Sequence, residues 1–190
     1  MPAAPTALDT VTYGAVGATQ APDLVAFPPA GFVGREARSR IGHGPRRWAF
    51  AVEQVMSWGV KRRSGFRVVT VASEAGPRRE RVYSSDGVEL VHPGDTVVLH
   101  FGRIEEPVRV VYTIDEPRRR GFGYGTLPGH PLQGEECFEV EYRDDGSVWL
   151  TVRSFSRPST GTWEAARPLL RIAQWVVTRR YLRSLAQPIG

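Results

Sequence analysis

The sequence predicts an α+β fold in which a curved antiparallel sheet of six to seven strands grips a long C-terminal helix. Two hydrophobic periods carry this prediction. Over residues 65–158 apolar and polar side chains alternate with a period of two, which is typical of strands. Over residues 162–186 apolar side chains recur every three or four positions, which is typical of an amphipathic helix. Strands followed by one such helix favour a sheet that buries one face against it.

The N-terminal part is predicted to be irregular. Prolines and glycines interrupt any regular period in residues 1–40, so we expect an arm there and a single domain over residues 41–190. A first helix is predicted over 46–58, because Pro45 suits a first helical turn and apolar residues then recur at helical spacing. Gly59 is expected to end that helix.

The strands of the sheet are predicted between turn signals such as the Asp-Gly pair at 145–146. The segment 121–125 alternates glycine with aromatic residues and does not open a helix, so we interpret it as a strand rather than a phosphate-binding loop. The predicted strands cover residues 66–71, 81–83, 95–101, 108–114, 121–126, 136–142 and 148–155.

The C-terminal helix is predicted to present one apolar stripe to the sheet. Pro168 must lie near its first turn or kink it. The stripe is expected to contain Ala166, Leu169, Leu170, Ala173, Val176, Val177 and Tyr181.

Composition describes one folded domain and excludes several classes of protein. The chain has 190 residues, of which 41% are hydrophobic and 24% charged. No apolar run approaches the roughly 18 residues of a membrane span, and the first residues lack the pattern of a secretory signal. We therefore expect a soluble cytoplasmic protein. The single cysteine, Cys137, excludes an internal disulfide and a cysteine-rich zinc site.

The basic residues raise the question of an anionic partner. The net charge is +5, and Lys61 is the only lysine among the 25 basic residues. Arginine binds phosphate in bidentate fashion, so nucleic acid must be considered. The arginines are dispersed and lack the interleaved aromatics that single-strand binders use for stacking. Nucleic-acid or anion binding therefore stays a second alternative.

A central motif resembles a known family signature. Residues 124–131 read YGTLPGHP, and Gly134, Glu135, Glu136 and Phe138 follow. This pattern resembles a domain-of-unknown-function family found in bacteria and plants. Further matches lie at Tyr13-Gly14, Ile41-Gly42-His43-Gly44, Trp58 and Phe155-Ser156-Arg157-Pro158. The region 73–88 is longer than the family's usual connection, which suggests a hairpin insertion.

The resemblance also implies a fold and a general function. The family is similar to the helix-grip superfamily of START lipid-transfer domains, birch-pollen-allergen-like proteins and aromatic polyketide cyclases. Such a fold implies a cavity between sheet and helix that holds a small hydrophobic ligand, without a cofactor or a metal. The alternative is a cofactor-independent cyclase, isomerase or hydrolase that uses the same cavity. Fold analogy does not decide whether the protein is an enzyme.

Strand parity selects the side chains expected to face this cavity. Glu136 is in phase with Phe138, and a few polar groups among aromatics are typical of a small-molecule pocket. Glu136 and Arg180 are expected either to contact a ligand or to form an ion pair that fixes the helix. The expected ligand-binding residues are Tyr124, Thr126, Glu136, Phe138, Ser154, Ser156 and Arg180.

Candidate acid–base residues are expected in the same cavity. Glu136, His130 and Tyr124 are the candidates for catalysis, because an imidazole and a carboxylate are the minimum for proton transfer. His130 with Glu135 or Glu136 also supplies two possible metal ligands, with a third from one of the other histidines, His43, His92 and His100. The simpler interpretation is a shaped turn whose imidazole bonds to the backbone.

Overall fold

The computed structural model describes residues 10–72 and 82–187. A 3-10 turn at Ala18–Gln20 precedes the regular elements. The strands are β1 Val33–His43, β2 Arg67–Ala72, β3 Thr96–Phe101, β4 Ile104–Glu116, β5 Arg119–Thr126, β6 Leu132–Tyr142 and β7 Ser147–Pro158. The helices are α1 Pro45–Met56, α2 Gly59–Arg63, α3 Thr162–Ala165 and α4 Arg167–Ser184.

The described strands form one antiparallel sheet with the order β1-β7-β6-β5-β4-β3-β2. Helices α1 and α2 pack on one face of the sheet, and α4 crosses that same inner face near β1 and β7. The predicted α+β class and helix-grip arrangement are confirmed. Of the predicted insertion, residues 73–81 lie outside the described residues, and Tyr83 pairs with Glu89 in an isolated bridge.

Strand β1 is the element that the sequence analysis missed. It begins at Val33, so the expected arm boundary at residue 40 falls inside a strand that pairs with β7. Its inward positions include Ala37 and Ser39, and its outward positions are mostly charged. A strand with so few large apolar residues shows no hydrophobic alternation, which explains why the period test failed.

The connection between α1 and α2 turns at a strained residue. Trp58 has a φ of 62°, in the left-handed region that bulky residues rarely adopt. Its ring is buried against Phe122 and Tyr124, with centroid distances of 4.6 and 5.5 Å. Gly59 therefore begins α2 instead of simply ending α1 as predicted. This turn directs the next residues of the chain, including Lys61, toward the inner face of the sheet.

The C-terminal helix is broken near its start, because Pro168 occupies the first turn of α4. Its inner face carries Leu170, Ala173, Val177 and Tyr181. Leu169 is 70% exposed, so the predicted apolar stripe is wrong there and at the similarly outward Val176. No helix in the described residues is long and apolar enough to cross a membrane.

The outer face of the sheet is covered by the N-terminal segment. Tyr13, Leu24 and Phe155 form a small buried cluster there. The glycines of β5 make room for it, since a Cβ on Gly125 would lie 2.4 Å from the Tyr13 hydroxyl. A Cβ on Gly123 would likewise lie 2.4 Å from the Tyr112 ring. The glycine alternation in β5 therefore belongs to a strand, as predicted, and its function is close packing.

Candidate functional site

A cavity of about 190 Å³ lies between α4 and the inner face of the sheet. Its polar groups come from α2, β1, β4, the β5–β6 region, β7 and α4. The volume suits a ligand smaller than a drug-sized molecule, which needs roughly 300–1,000 Å³. The apolar part of its wall is formed by Phe66, Phe101, Ile104, Leu170, Ala173 and Val177.

Lys61 supplies a buried cation at this cavity. Only 2% of the residue is exposed, and its ammonium donates a hydrogen bond of 2.6 Å to the Tyr181 hydroxyl. Its Nζ lies 3.1 Å from Oε2 of Glu136. Four aromatic rings surround Nζ at centroid distances of 4.6–5.7 Å, those of Phe66, Tyr124, Phe138 and Tyr181. A carboxylate together with ring faces stabilises an ammonium that water does not reach.

Two tyrosine hydroxyls stay protonated beside this cation. Burial raises the pKa of Tyr124 well above its ordinary value, and the Glu136 carboxylate raises it further. Burial likewise raises the pKa of Tyr181, with additional contributions from Glu136 and Glu106. The Tyr124 hydroxyl donates to Glu136. Among the described residues, the Tyr181 hydroxyl accepts from Lys61 and donates to no acceptor, so its proton is available to a ligand.

Glu136 has one carboxylate oxygen engaged and one open. Both Tyr124 and Lys61 contact Oε2, and among the described residues no hydrogen bond reaches Oε1. The side chain is 21% exposed toward the cavity. The inner end of the cavity therefore presents one donor hydroxyl, on Tyr181, and one acceptor oxygen, on Glu136.

A second titratable pair lies in the same wall. His130 accepts a hydrogen bond of 2.9 Å from the Leu132 amide at Nδ1, so the neutral ring carries its proton at Nε2. Burial lowers the pKa of His130 to about 3, and the Lys61 charge lowers it further. His130 Nε2 lies 3.9 Å from Oε2 of Glu106. Burial raises the pKa of Glu106, with Lys61 acting in the opposite sense.

Most of the predicted site residues do border the cavity. Tyr124, Thr126, His130, Glu136, Ser154 and Ser156 all contribute to its wall. The Thr126 hydroxyl is already engaged by the Gly134 amide at 3.0 Å and by Thr12 at 2.6 Å. Ser156 accepts from Gln174 at 3.0 Å and thereby ties β7 to α4. These two hydroxyls therefore help to build the site, whereas Tyr124 and Glu136 belong to its polar cluster.

Two predicted ligand contacts lie elsewhere. Phe138 is fully buried one layer below the cavity, where its ring meets Tyr181 edge-on with centroids 5.1 Å apart. Arg180 is exposed, and its guanidinium lies over the Phe101 ring at 5.7 Å. The expected ion pair of Glu136 with Arg180 is wrong, because Lys61 from α2 holds that position. Arg180 points away from the cavity because the inner face of α4 is centred on Val177 and Tyr181.

Glu135 and Cys137 belong to the other side of the sheet. The Glu135 carboxylate accepts from Tyr13, Gly17 and Thr19, which leaves it no role as a partner of His130. Burial raises the pKa of the Cys137 thiol to about 12, which makes it a poor nucleophile. Among the described residues, no three His, Cys, Asp or Glu side chains are grouped closely enough to hold a metal ion.

Three residues of the site, Lys61, Tyr181 and Glu106, are not among those that the sequence predicted. One signal was present for Lys61, since a chain with this many arginines has a single lysine and places it in the site. A compact ammonium fits a cage of rings where a forked guanidinium would not. Tyr181 was assigned to the apolar stripe, where its hydroxyl gave no separate signal. Glu106 follows another glutamate at the start of a strand, and only strand register reveals which of the two points inward.

Several surface arginines are held by carboxylates. Ion pairs at the strand ends and on the outer face include Arg118–Asp144, Arg119–Glu139, Arg120–Asp115, Arg143–Glu141 and Arg153–Glu36. Paired guanidinium groups offer less charge to phosphates than isolated ones.

The chain is similar to proteins that have no assigned activity. A family model described as "Domain of unknown function (DUF1990)" matches residues 12–184. A UPF0548 protein of Deinococcus radiodurans is 46% identical over 82 residues, which are 43% of this chain and 41% of that protein. A UPF0548 protein of Arabidopsis thaliana is 45% identical over 60 residues, which are 28% of this chain and 29% of that protein. The alignments thus span less than half of these curated relatives.

A solved structure supports the fold. A hypothetical protein from Helicobacter pylori aligns with a TM-score of 0.58 over 96% of this chain and 98% of its own. The sequence identity is 9%, so this likeness concerns the fold alone.

Proposed function

The chain belongs to the DUF1990 family, and we propose that it binds a small, mostly apolar molecule that carries a carbonyl or hydroxyl oxygen. The ligand would occupy the cavity between the sheet and α4. The Tyr181 hydroxyl carries this proposal, because it accepts a hydrogen bond from Lys61 and can donate its own proton in a hydrogen bond to a ligand. A buried donor without an acceptor is costly, and a ligand oxygen would remove that cost.

The size of the cavity limits the ligand to about one ring. A closed apolar cavity of about 150 Å³ accommodates benzene, and this one measures about 190 Å³. Aromatic and aliphatic side chains contact the body of the ligand, and the polar groups are gathered at the inner end. A ring with one oxygen-bearing substituent matches that division of the wall.

The Lys61 charge favours an acceptor oxygen on the ligand. Its ammonium polarises the Tyr181 hydroxyl by donating to it, which strengthens the hydrogen bond that this hydroxyl gives onward. Glu136 Oε1 would accept from the ligand when the oxygen is a hydroxyl. Ketones and alcohols are therefore both suitable, and hydrocarbons of the same shape should bind more weakly.

The test compares acetophenone with ethylbenzene, which has the same ring and chain length but no oxygen. Dissociation constants are measured by ligand-observed NMR on the full chain. We expect acetophenone to bind about 5–10-fold more tightly, the value of roughly one buried hydrogen bond. Tyr181→Phe should abolish this preference while ethylbenzene binds as before.

Tyr142→Phe is the matched control, because Tyr142 stacks on Trp48 away from the cavity wall. It should leave both dissociation constants unchanged. Equal affinity for the two probes in the unmodified protein would contradict the role of Tyr181. Failure of every one-ring probe to bind, with native mass spectra of host-purified protein free of any small molecule, would overturn the proposal.

A further inference from the structure

Glu106 is a carboxylate that the binding proposal leaves unused. It lies in the cavity wall on β4, with 21% of its side chain exposed. Among the described residues, no hydrogen bond reaches its carboxylate, and its nearest ionisable partner is the His130 ring at 3.9 Å. A half-buried carboxylate without hydrogen bonds is a stronger base than one in water, because burial disfavours its charge, and the Lys61 charge offsets this only in part.

The neighbours of Glu106 keep it unpaired. His130 is neutral at physiological pH, because its buried ring has a pKa of about 3. The Lys61 ammonium is engaged by Glu136 and Tyr181. Glu106 is thus the carboxylate of the cavity that is left to exchange a proton with a ligand, whereas the negative charge of Glu136 is committed to Lys61.

We propose that the cavity catalyses proton transfer at the carbon next to a ligand carbonyl, with Glu106 as the base. This inference rests on the proposed function, since it requires a ketone whose oxygen lies on the Tyr181 hydroxyl. Tyr181, Glu106 and Lys61 all belong to the wall of one cavity of about 190 Å³, so a one-ring ketone reaches from donor to base.

The step balances without a cofactor. The bond from the α-carbon to hydrogen breaks, and the proton moves to the Glu106 carboxylate. The electron pair of that bond forms a carbon–carbon double bond, and the carbonyl π electrons move to the oxygen as an enolate. Tyr181, polarised by Lys61, donates to this oxygen and stabilises its charge. The Glu106 carboxyl proton exchanges with solvent, so delivery of a solvent-derived proton to the same carbon gives isotope exchange, and delivery to a conjugated carbon gives an isomer.

The test is hydrogen–deuterium exchange at the α-carbon, followed by proton NMR in D₂O with the one-ring ketones cyclopentanone, cyclohexanone and acetophenone. A positioned general base contributes about 10²–10⁴-fold. For the ketones that bind, we expect exchange at least 100-fold faster than in buffer at the same pD. Glu106→Gln should return the rate close to that of buffer while the dissociation constants change less than threefold. Tyr181→Phe should weaken both binding and exchange.

Glu105→Gln is the matched control, because Glu105 is the exposed neighbour that pairs with His100 on the other side of the strand. The Glu105→Gln variant should catalyse exchange at the ketone α-carbon at the same rate as the unmodified protein. Binding of the ketones without accelerated exchange would overturn this inference and leave the binding proposal intact. An unchanged exchange rate in Glu106→Gln would also overturn it. Absence of binding for all three ketones would overturn this inference, and native mass spectra free of any small molecule, together with failure of every other one-ring probe, would then overturn the binding proposal as well.

Discussion

Glu135 and Glu136 are neighbours on β6, and they point to opposite faces of the same sheet. On the outer face, Glu135 is 2% exposed and accepts from the Tyr13 hydroxyl, the Gly17 amide, and the amide and hydroxyl of Thr19. On the inner face, Glu136 lies beside Lys61 and has an oxygen open to the cavity. A glutamate therefore stabilises the fold on the outer face, and a glutamate contributes to the candidate site on the inner face.

The difference lies in whether the hydrogen-bonding capacity is exhausted. Four donors from one chain segment saturate the Glu135 carboxylate and fix the N-terminal segment to the sheet. The polar groups on the inner face keep one donor and one acceptor unused. A site is recognised here by what its polar atoms leave unsatisfied, and residue type alone does not show it.

Removal of the outer carboxylate should have the largest effect. Glu135→Ala leaves four buried or half-buried donors without their acceptor, each costing about 1–3 kcal/mol when unsatisfied. Because water reaches some of them after relaxation, we expect a total loss of about 3–5 kcal/mol in the free energy of unfolding. Urea unfolding followed by circular dichroism measures it. Acetophenone affinity of the folded fraction should be unchanged.

Glu141→Ala is the control for this comparison. Glu141 lies on the same strand and face but is about one-third exposed and paired with Arg143. Its loss should cost less than about 1 kcal/mol, as for other exposed ion pairs. A cost for Glu135→Ala as small as that of Glu141→Ala would show that the N-terminal segment does not depend on its carboxylate.

The next effect concerns the inner side and depends on pH. The folded protein holds His130 at a pKa of about 3, below the ordinary value of about 6.5. Between these two values the unfolded chain binds a proton that the folded protein does not, so stability falls as the pH falls. The free energy of unfolding then falls by up to about 1.4 kcal/mol for each pH unit. The total loss between pH 6.5 and pH 4.5 is about 2–3 kcal/mol.

His130→Gln should remove this loss, since glutamine does not titrate and still offers an acceptor to the Leu132 amide. The measurement is the free energy of unfolding of each variant from pH 7 to 4.5. His43→Gln serves as the control, because His43 is exposed. If the two variants follow the same pH curve as the unmodified protein, then the imidazole of His130 is not held neutral.

The sheet and its gripped helix were predictable because their signal is periodic. Strands such as β6 and β7 alternate apolar and polar side chains over long segments, and a period of two needs no knowledge of neighbouring strands. Strand β1 was not predictable in this way, because it is an edge strand whose inward side chains include Arg35, Ala37 and Ser39 and few large apolar residues. The predicted apolar stripe of the C-terminal helix is only partly correct. Only a narrow face of α4 covers the cavity, so Leu169 lies in solvent.

The site was harder to predict because its members meet through the fold. Parity on β5 and β6 placed Tyr124 and Glu136 on the inner face correctly. Lys61 lies on a helix of five residues and reaches the site through the strained turn at Trp58. Neither the turn nor the register of β4 that directs Glu106 inward is encoded in a local pattern. Lys61 was visible only as the one lysine of an arginine-rich chain.

A glycine substitution tests how closely the outer segment is packed. In Gly125→Ala the new Cβ would lie 2.4 Å from the Tyr13 hydroxyl and 2.8 Å from Val11 Cγ1. The Tyr13 side chain must then shift from Glu135, and overpacking of this kind costs about 1–3 kcal/mol. Urea unfolding measures the change. Gly87→Ala is less informative as a control because φ is positive there, whereas Gly14→Ala meets no atom within 4 Å and has no such restriction.

Gly14→Ala should therefore leave stability within about 0.5 kcal/mol. Acetophenone affinity should be unchanged in both variants, because the cavity is on the other face. A stable Gly125→Ala protein would mean that the N-terminal segment adapts its packing, and the contrast between the two faces would then be weaker than proposed.

The smallest effect on stability is expected where the polar groups are least saturated. Glu136→Gln leaves the Lys61 ammonium with Tyr181, its ring faces and the amide oxygen of the new side chain, so we expect a loss of about 1–2 kcal/mol, below the roughly 3–5 kcal/mol of a buried pair broken without a replacement acceptor. Lys61→Met leaves Glu136 without its cation, and the double variant removes both charges. The coupling energy from the double-mutant cycle should be about 1–2 kcal/mol.

Ligand binding should respond more strongly than stability, since the preference for acetophenone over ethylbenzene depends on the Tyr181 hydroxyl that Lys61 polarises. A coupling near zero together with an unchanged preference would mean that the Lys61–Glu136 pair neither stabilises the fold nor prepares the cavity for an oxygen.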